Sequence, residues 1–289
     1  MSGRLCDLVQ EQNALTFARP DAFLSFKEHV RVAKKFVLDE TFSLSADVVA
    51  QQATQIEKVS PFCASPFRNV WIECKHNHRP TFHTQKALDQ SKDSDAVPER
   101  IGFLLQATSV HDWIAAMVWN ALHESEVHVC SAIISHSPLS TALENGLQVM
   151  QADNPMFDYS PLTNIGGARA LQLIRDEATR DWKGEVQFLF AAIGLLNSRN
   201  FTEFEDVDNT KLSAAREKRG KPPRSSYVIC KVQKRFAKSV AGFTGGEADL
   251  RAHLVRGHFK RKKSGVYWWS PHMRGSVHSG FVDKEYRVI

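Results

Sequence analysis

The sequence predicts an α+β fold: a helical N-terminal part, an antiparallel sheet, a buried central helix and a basic, β-rich C-terminal part. Three observations carry that reading. Apolar residues recur at helical spacing near the start, alternate at strand spacing between residues 100 and 135, and cover most sides of residues 182–196. Charge is divided just as sharply. Residues 1–210 hold 18 Lys/Arg against 27 Asp/Glu, whereas residues 211–263 hold 16 Lys/Arg against Glu217, Glu247 and Asp249. An acidic α+β body over 1–205 and a basic part over 206–289 follow, and the two can share one core.

The first element is a helix over 21–38, entered after Pro20 with Asp21 as N-cap; Phe23, Leu24, Phe26, Val30, Val32, Ala33, Phe36 and Val37 recur at roughly helical spacing. A second helix runs from Ser45 to about Lys58. Pro61 and Pro66 then open a loop that feeds the apolar strand Val70-Trp71-Ile72. Strands over 100–107, 113–121 and 126–135 form an antiparallel meander, and Val127, Val129, Ser131 and Ile133 share one face of the last. The run WKGEVQFLFAAIGLL, 182–196, is apolar on most sides and becomes the helical centre of the core. An acidic loop, 203–208, leads to a short helix over 211–219 that Gly220 and Pro222-Pro223 end. Strand 226–232, a flexible glycine-bearing connection over 239–250, a basic hairpin and the alternating VDKEYRVI finish the chain.

Several residue groups invite chemistry and are better explained as structure. His76 and His78, with Cys74 and His83, have the look of a chelating strand. They sit in a polar stretch without an acidic or thiolate completion, so no metal site is expected. His111-Asp112 and His123-Glu124 resemble acid–base pairs but fall at turns, where solvated side chains are the commoner case. Gly166-Gly167 lacks the flanking glycine pattern of a phosphate loop. The cysteines Cys6, Cys63, Cys74, Cys130 and Cys230 are scattered, which fits reduced, mostly buried thiols. No apolar run reaches the roughly 18 residues that span a bilayer, and the N-terminus has no apolar signal core. A cytoplasmic protein without membrane association or cofactor is the expectation.

The most informative stretch is His253 to Gly275, HLVRGHFKRKKSGVYWWSPHMRG. It reads as strand, turn, strand, with Ser264-Gly265 at the turn and Val266-Tyr267-Trp268-Trp269 as the second strand. Cations beside flat rings suit a partner that carries phosphates and bases. Counted along one continuous first strand, Arg256 and His258 point together with Lys260 next along.

The blocks LLNSRN (195–200), KLSAAREKRGKPPRSSYVI (211–229), HLVRGHFKRKKSGVYWWSPHMRG (253–275) and VDKEYRV (282–288) together resemble a functionally uncharacterised family of tailed-bacteriophage and prophage proteins. The shared pattern is similar to K-L-x-x-x-R-x-K-x-G-K-P-P, then H-x-x-R-G-H-x-R/K, an aromatic strand and a closing K-D-Y-x-V. Here that last element is Lys284-Glu285-Tyr286, with an acid one carbon longer. The resemblance covers about the final third of the chain. It implies a viral origin and a life in the bacterial host cell, and it brings no activity or catalytic residue with it.

Three functions compete for these residues. The favoured one is binding of RNA or DNA: Lys211, Arg216, Arg219, Lys221, Arg256, Lys260, Arg261, Lys262, Lys263 and Arg274 neutralise phosphates while Tyr267 or Trp268 offers a stacking face. The second is metal-independent RNA cleavage, in which one imidazole among His253, His258 and His272 takes the 2′-hydroxyl proton, another protonates the leaving oxygen, and Arg256 or Lys260 stabilises charge on phosphorus. The third is a protein-interaction factor that acts on a host protein or in virion assembly.

Overall fold

The computed structural model describes residues 4–12, 20–52, 63, 65, 67–75, 98–108, 112–121, 127–135, 148–150, 182, 185–233, 251–255, 258–269, 272–274 and 276–281. Within these the α+β class holds, and the sheet is mixed. Helices α1 (Leu5–Glu11) and α2 (Pro20–Val32) precede strand β1 (Lys34–Leu38), and α3 (Glu40–Ala50) follows it. The meander is β2 (Asn69–Lys75), β3 (Pro98–Ala107), β4 (Asp112–Ala121), β5 (His128–Ser135) and β6 (Gln148–Met150). Helix α4 spans residues 185–196, with Trp182 helical before it. Strand β7 (Thr202–Val207), helix α5 (Thr210–Glu217) and strand β8 (Tyr227–Val232) come next.

Strand order in the large sheet is β6-β5-β4-β3-β2-β1-β8-β7. The expected antiparallel meander is present from β2 to β6. Its extension is different: β1 lies parallel to both β2 and β8. The first helix therefore stops at Val32, six residues before its expected end, because 34–38 is a short central strand buried along four of its five positions. Lys35 closes the preceding helix by donating from Nζ to the carbonyls of Arg31 and Ala33 at 2.9 and 3.1 Å. The second helix starts at Glu40 and not Ser45, since the Asp39 carboxylate accepts from the Phe42 amide at 2.7 Å and caps it there. It ends at Ala50.

Both faces of the sheet are covered, and strand alternation sorts the residues between them. Phe36, Ile72, Phe103, Trp113 and Met117 pack with α3 and α4, where Phe188, Leu189, Phe190 and Ile193 are fully or almost fully buried. Trp71, Leu104, Ala116 and Val118 face the other way, onto Leu5, Val9, Phe23, Phe26 and Val30 of α1 and α2. The expectation of a buried central helix is met by α4. The stretch read as an acidic loop is strand β7, paired antiparallel with β8. Thr202 is buried while Glu203, Phe204, Glu205 and Asp206 are exposed, so polarity alone concealed an edge strand.

The carboxylate of Glu73 is fully enclosed. Glu73 accepts hydrogen bonds from the backbone amides of Leu5 (3.1 Å) and Cys6 (3.4 Å) and from Trp71 Nε1 (3.1 Å), and it pairs with Arg100 at 3.2 Å. It satisfies the free amides at the start of α1 from the sheet face on which that helix packs. No helix among the described residues is long and apolar enough to cross a membrane.

Candidate nucleic-acid interface

The expected hairpin exists, as β10 (His258–Lys262) paired antiparallel with β11 (Gly265–Trp269) across the Lys263-Ser264 turn. Gly265 has a φ of 129°, a region that side-chain-bearing residues avoid, so the turn depends on it. The strand expected to run unbroken through 253–260 is two strands. β9 (Arg251–Val255) belongs to a separate three-stranded sheet with β12 (His272–Arg274) and β13 (Ser276–Phe281). Alternation counted from Leu254 to His258 therefore does not carry across 256–257.

Alternation within the hairpin decides its chemistry. Phe259 lies opposite Trp268 with ring centroids 4.9 Å apart, and both are buried with Val266 in the α3–α4 core. Phe201 extends that packing, 6.1 Å from Trp268 and 5.6 Å from Phe42. Trp268 is only 7% exposed, so it cannot offer the stacking face assigned to it from sequence. That role falls to its neighbour: Trp269 is 41% exposed on the opposite side of the strand.

The outer face carries His258, Lys260 and Lys262 from β10 opposite Trp269, Tyr267 and Gly265 from β11. Lys260 Nζ sits over the Trp269 ring at 4.3 Å and Lys262 Nζ over the Tyr267 ring at 5.1 Å. The His258 and Trp269 rings are 6.1 Å apart at 34°. Tyr267 shares a 3.0 Å hydrogen bond with Ser264, which lowers the phenol's pKa from its ordinary value; Arg199 and Lys262 act in the same sense. Lys260, Arg261, Lys262 and Lys263 are all exposed.

The second basic segment is mixed in its exposure. α5 buries none of its residues, and Lys211, Arg219 and Lys221 are exposed. Gly220, at φ 65°, turns the chain there, and the Lys221 amide donates back to the Arg216 carbonyl at 3.0 Å. Arg216 reaches inward: its Nε donates to the Pro222 carbonyl at 2.8 Å and its guanidinium lies 4.0 Å from Glu11. Arg224 pairs with Asp7 at 3.3 Å and Glu11 at 3.5 Å, and Lys231 pairs with Glu205. Part of the basic charge is thus neutralised against the acidic body, whereas Lys260, Lys262 and Lys263 stand exposed at the hairpin tip.

Of the residues considered for cleavage, His258 and Lys260 share the hairpin's outer face. His253 stands in β9 opposite Arg274 of β12, where the backbone alone is described, and Arg256 lies outside the described residues. His76, His78, His83, His111, His123, Glu124, Gly166 and Gly167 also lie outside them, as do 239–250 and the terminal VDKEYRVI. Cys74 is buried in the core. Sequence reasoning missed Asn200 and Arg199, which hold the hairpin, although both stand in the LLNSRN block. No protein-family model, curated protein or solved structure matches this chain.

Proposed function

We propose that this protein binds nucleic acid through the outer face of the β10–β11 hairpin, in a bacteriophage or prophage setting inside the bacterial cell. One observation carries the reading: the hairpin's inner face is locked into the core, so its lysines and rings are held outward as a fixed, alternating surface. Ammonium groups there release counterions from a phosphate chain, and rings add contact with bases. The exposed Lys211, Arg219 and Lys221 supply a second cationic area. The viral setting rests on the sequence resemblance of the final third.

A salt titration of binding to labelled RNA and DNA tests this. Steep salt dependence that flattens in a Lys260→Glu, Lys262→Glu double variant supports the reading; salt-independent or absent binding ends it. RNA degradation that persists in EDTA and disappears in His258→Ala moves the assignment to a metal-independent ribonuclease. A further reading, contact with a host protein, has its own observation. Phe67 and Phe204, 47% and 52% exposed, each lie 6.2 Å from Phe36 and leave an aromatic surface at the acidic end of the sheet. Stoichiometric capture of a host protein, abolished by Phe204→Ser and unaffected by the lysine reversal, selects it.

A further inference from the structure

Resting on the nucleic-acid reading above, we propose that the ligand is single-stranded, with an unpaired base stacked on Trp269. The two tryptophans of the strand have been separated by alternation. Trp268 completes the core, whereas Trp269 contributes nothing to it and stands 41% exposed. Its surroundings are cationic or imidazole, with Lys260 Nζ at 4.3 Å and the His258 ring at 6.1 Å. Tyr267, two residues away on the same face, carries Lys262 in the same relation at 5.1 Å. Residues two apart on a strand are separated by about 7 Å, which leaves room for one base at each ring with an ammonium beside each.

The composition of this face discriminates between nucleic-acid forms. A duplex hides the flat surfaces of its bases within its own stack and presents edges and phosphates. Readers of those edges use chiefly the forked donors and acceptors of Arg, Asn and Gln, with Lys also contacting guanine. On its own strands the outer face of β10–β11 carries none of those three forked side chains, only His258, Lys260, Lys262, Tyr267, Trp269 and Gly265, while the Arg199 side chain reaches its Tyr267–Gly265 end. Rings interleaved with ammonium groups instead suit unstacked bases on a flexible phosphate chain. Without ligand each lysine rests over its ring; a base takes the ring face, and the flexible stem moves the ammonium to the adjoining phosphate.

Fluorescence anisotropy with labelled 12-nucleotide oligo-uridine and oligo-thymidine, beside a 12-base-pair duplex, tests this in the full chain. Both single strands are expected to bind more tightly than the duplex. Trp269→Ala is expected to weaken single-strand binding about 5- to 100-fold with little change in salt slope, and Trp269→Phe to keep most of the affinity. Lys260→Gln with Lys262→Gln is expected to flatten the salt slope by about 1.4, the value for two phosphates on a single strand. Equal affinity for duplex, or an unchanged affinity in Trp269→Ala, overturns the single-strand assignment and leaves nucleic-acid binding standing. Absence of salt-dependent binding to all three probes overturns both.

Discussion

Asn200 and Trp268 exchange two hydrogen bonds: the Asn200 side-chain amide donates to the Trp268 carbonyl at 2.9 Å and its oxygen accepts from the Trp268 amide at 3.0 Å. A single side chain thereby does what a neighbouring strand would do for β11. The Arg199 amide adds a bond to the Val266 carbonyl at 3.3 Å. The loop after α4 thus fixes the hairpin to the core. Asn200→Ala strands buried backbone groups, each at a cost of about 1–3 kcal/mol. Hydrogen exchange should show the Trp268 amide losing protection in that variant. Retained protection would mean that side-chain packing alone holds the hairpin.

Adjacent tryptophans should behave oppositely on truncation. Trp268→Ala removes a core ring and is expected to lower unfolding free energy by about 3–5 kcal/mol. Trp269→Ala, at an exposed position, should stay within about 0.5 kcal/mol of wild type. Urea denaturation midpoints give the comparison, and similar losses at both sites would contradict the alternation described for β11.

Glu73 should be the least replaceable acid of the body. Removing its carboxylate in Glu73→Ala leaves Arg100 without its partner and the first amides of α1 without acceptors, a loss of about 3–5 kcal/mol. Gly102→Ala should strain the same neighbourhood from another side. A Cβ there would stand 2.5 Å from Cζ2 of Trp71, the indole that donates to Glu73. Overpacking of this kind costs about 1–3 kcal/mol. A thermal melt in which Gly102→Ala matches wild type would show that the indole can move freely.

Stability should fall in mild alkali. Burial pushes the thiols of Cys6, Cys63 and Cys230 upward, with Glu73 and Asp7 reinforcing Cys6 and Asp39 reinforcing Cys230. The folded chain therefore keeps these protons while the unfolded chain releases them above about pH 8.5. With fewer protons on the unfolded state, unfolding free energy declines as pH rises through that range. Lys35, whose ammonium burial disfavours, contributes in the opposite direction toward higher pH. Comparing urea midpoints between pH 7.5 and 9.5 in wild type and Cys63→Ala cancels that contribution, and the variant should decline less steeply. A thiol reagent should label these cysteines only on unfolding.

The Lys34–Leu38 segment shows where sequence reading stopped. KKFVL continues an apolar pattern that begins at Phe23, and five residues are too few for helical and strand periods to diverge. Parallel pairing to β2 and β8, which lie far away in sequence, decides its state. Polarity likewise hid β7, since an edge strand shows its charges to solvent and still satisfies its backbone on one side. At the candidate site the opposite occurred. The hairpin, its turn glycine and its basic tip were legible from 258–269, yet the register that separates Trp268 from Trp269 was not.

By itself the sequence determined the α+β class, the antiparallel meander, the buried helix α4 and the concentration of cations beside rings near the C-terminus. Those features come from local periodicity and composition, which each segment carries within itself. Tertiary structure alone decided that β1 enters the sheet in parallel, that Arg216 and Arg224 turn toward Glu11 and Asp7, and that Trp269 and not Trp268 faces outward. Each depends on a partner distant in the chain, and shifting a strand's pairing by one residue exchanges its two faces.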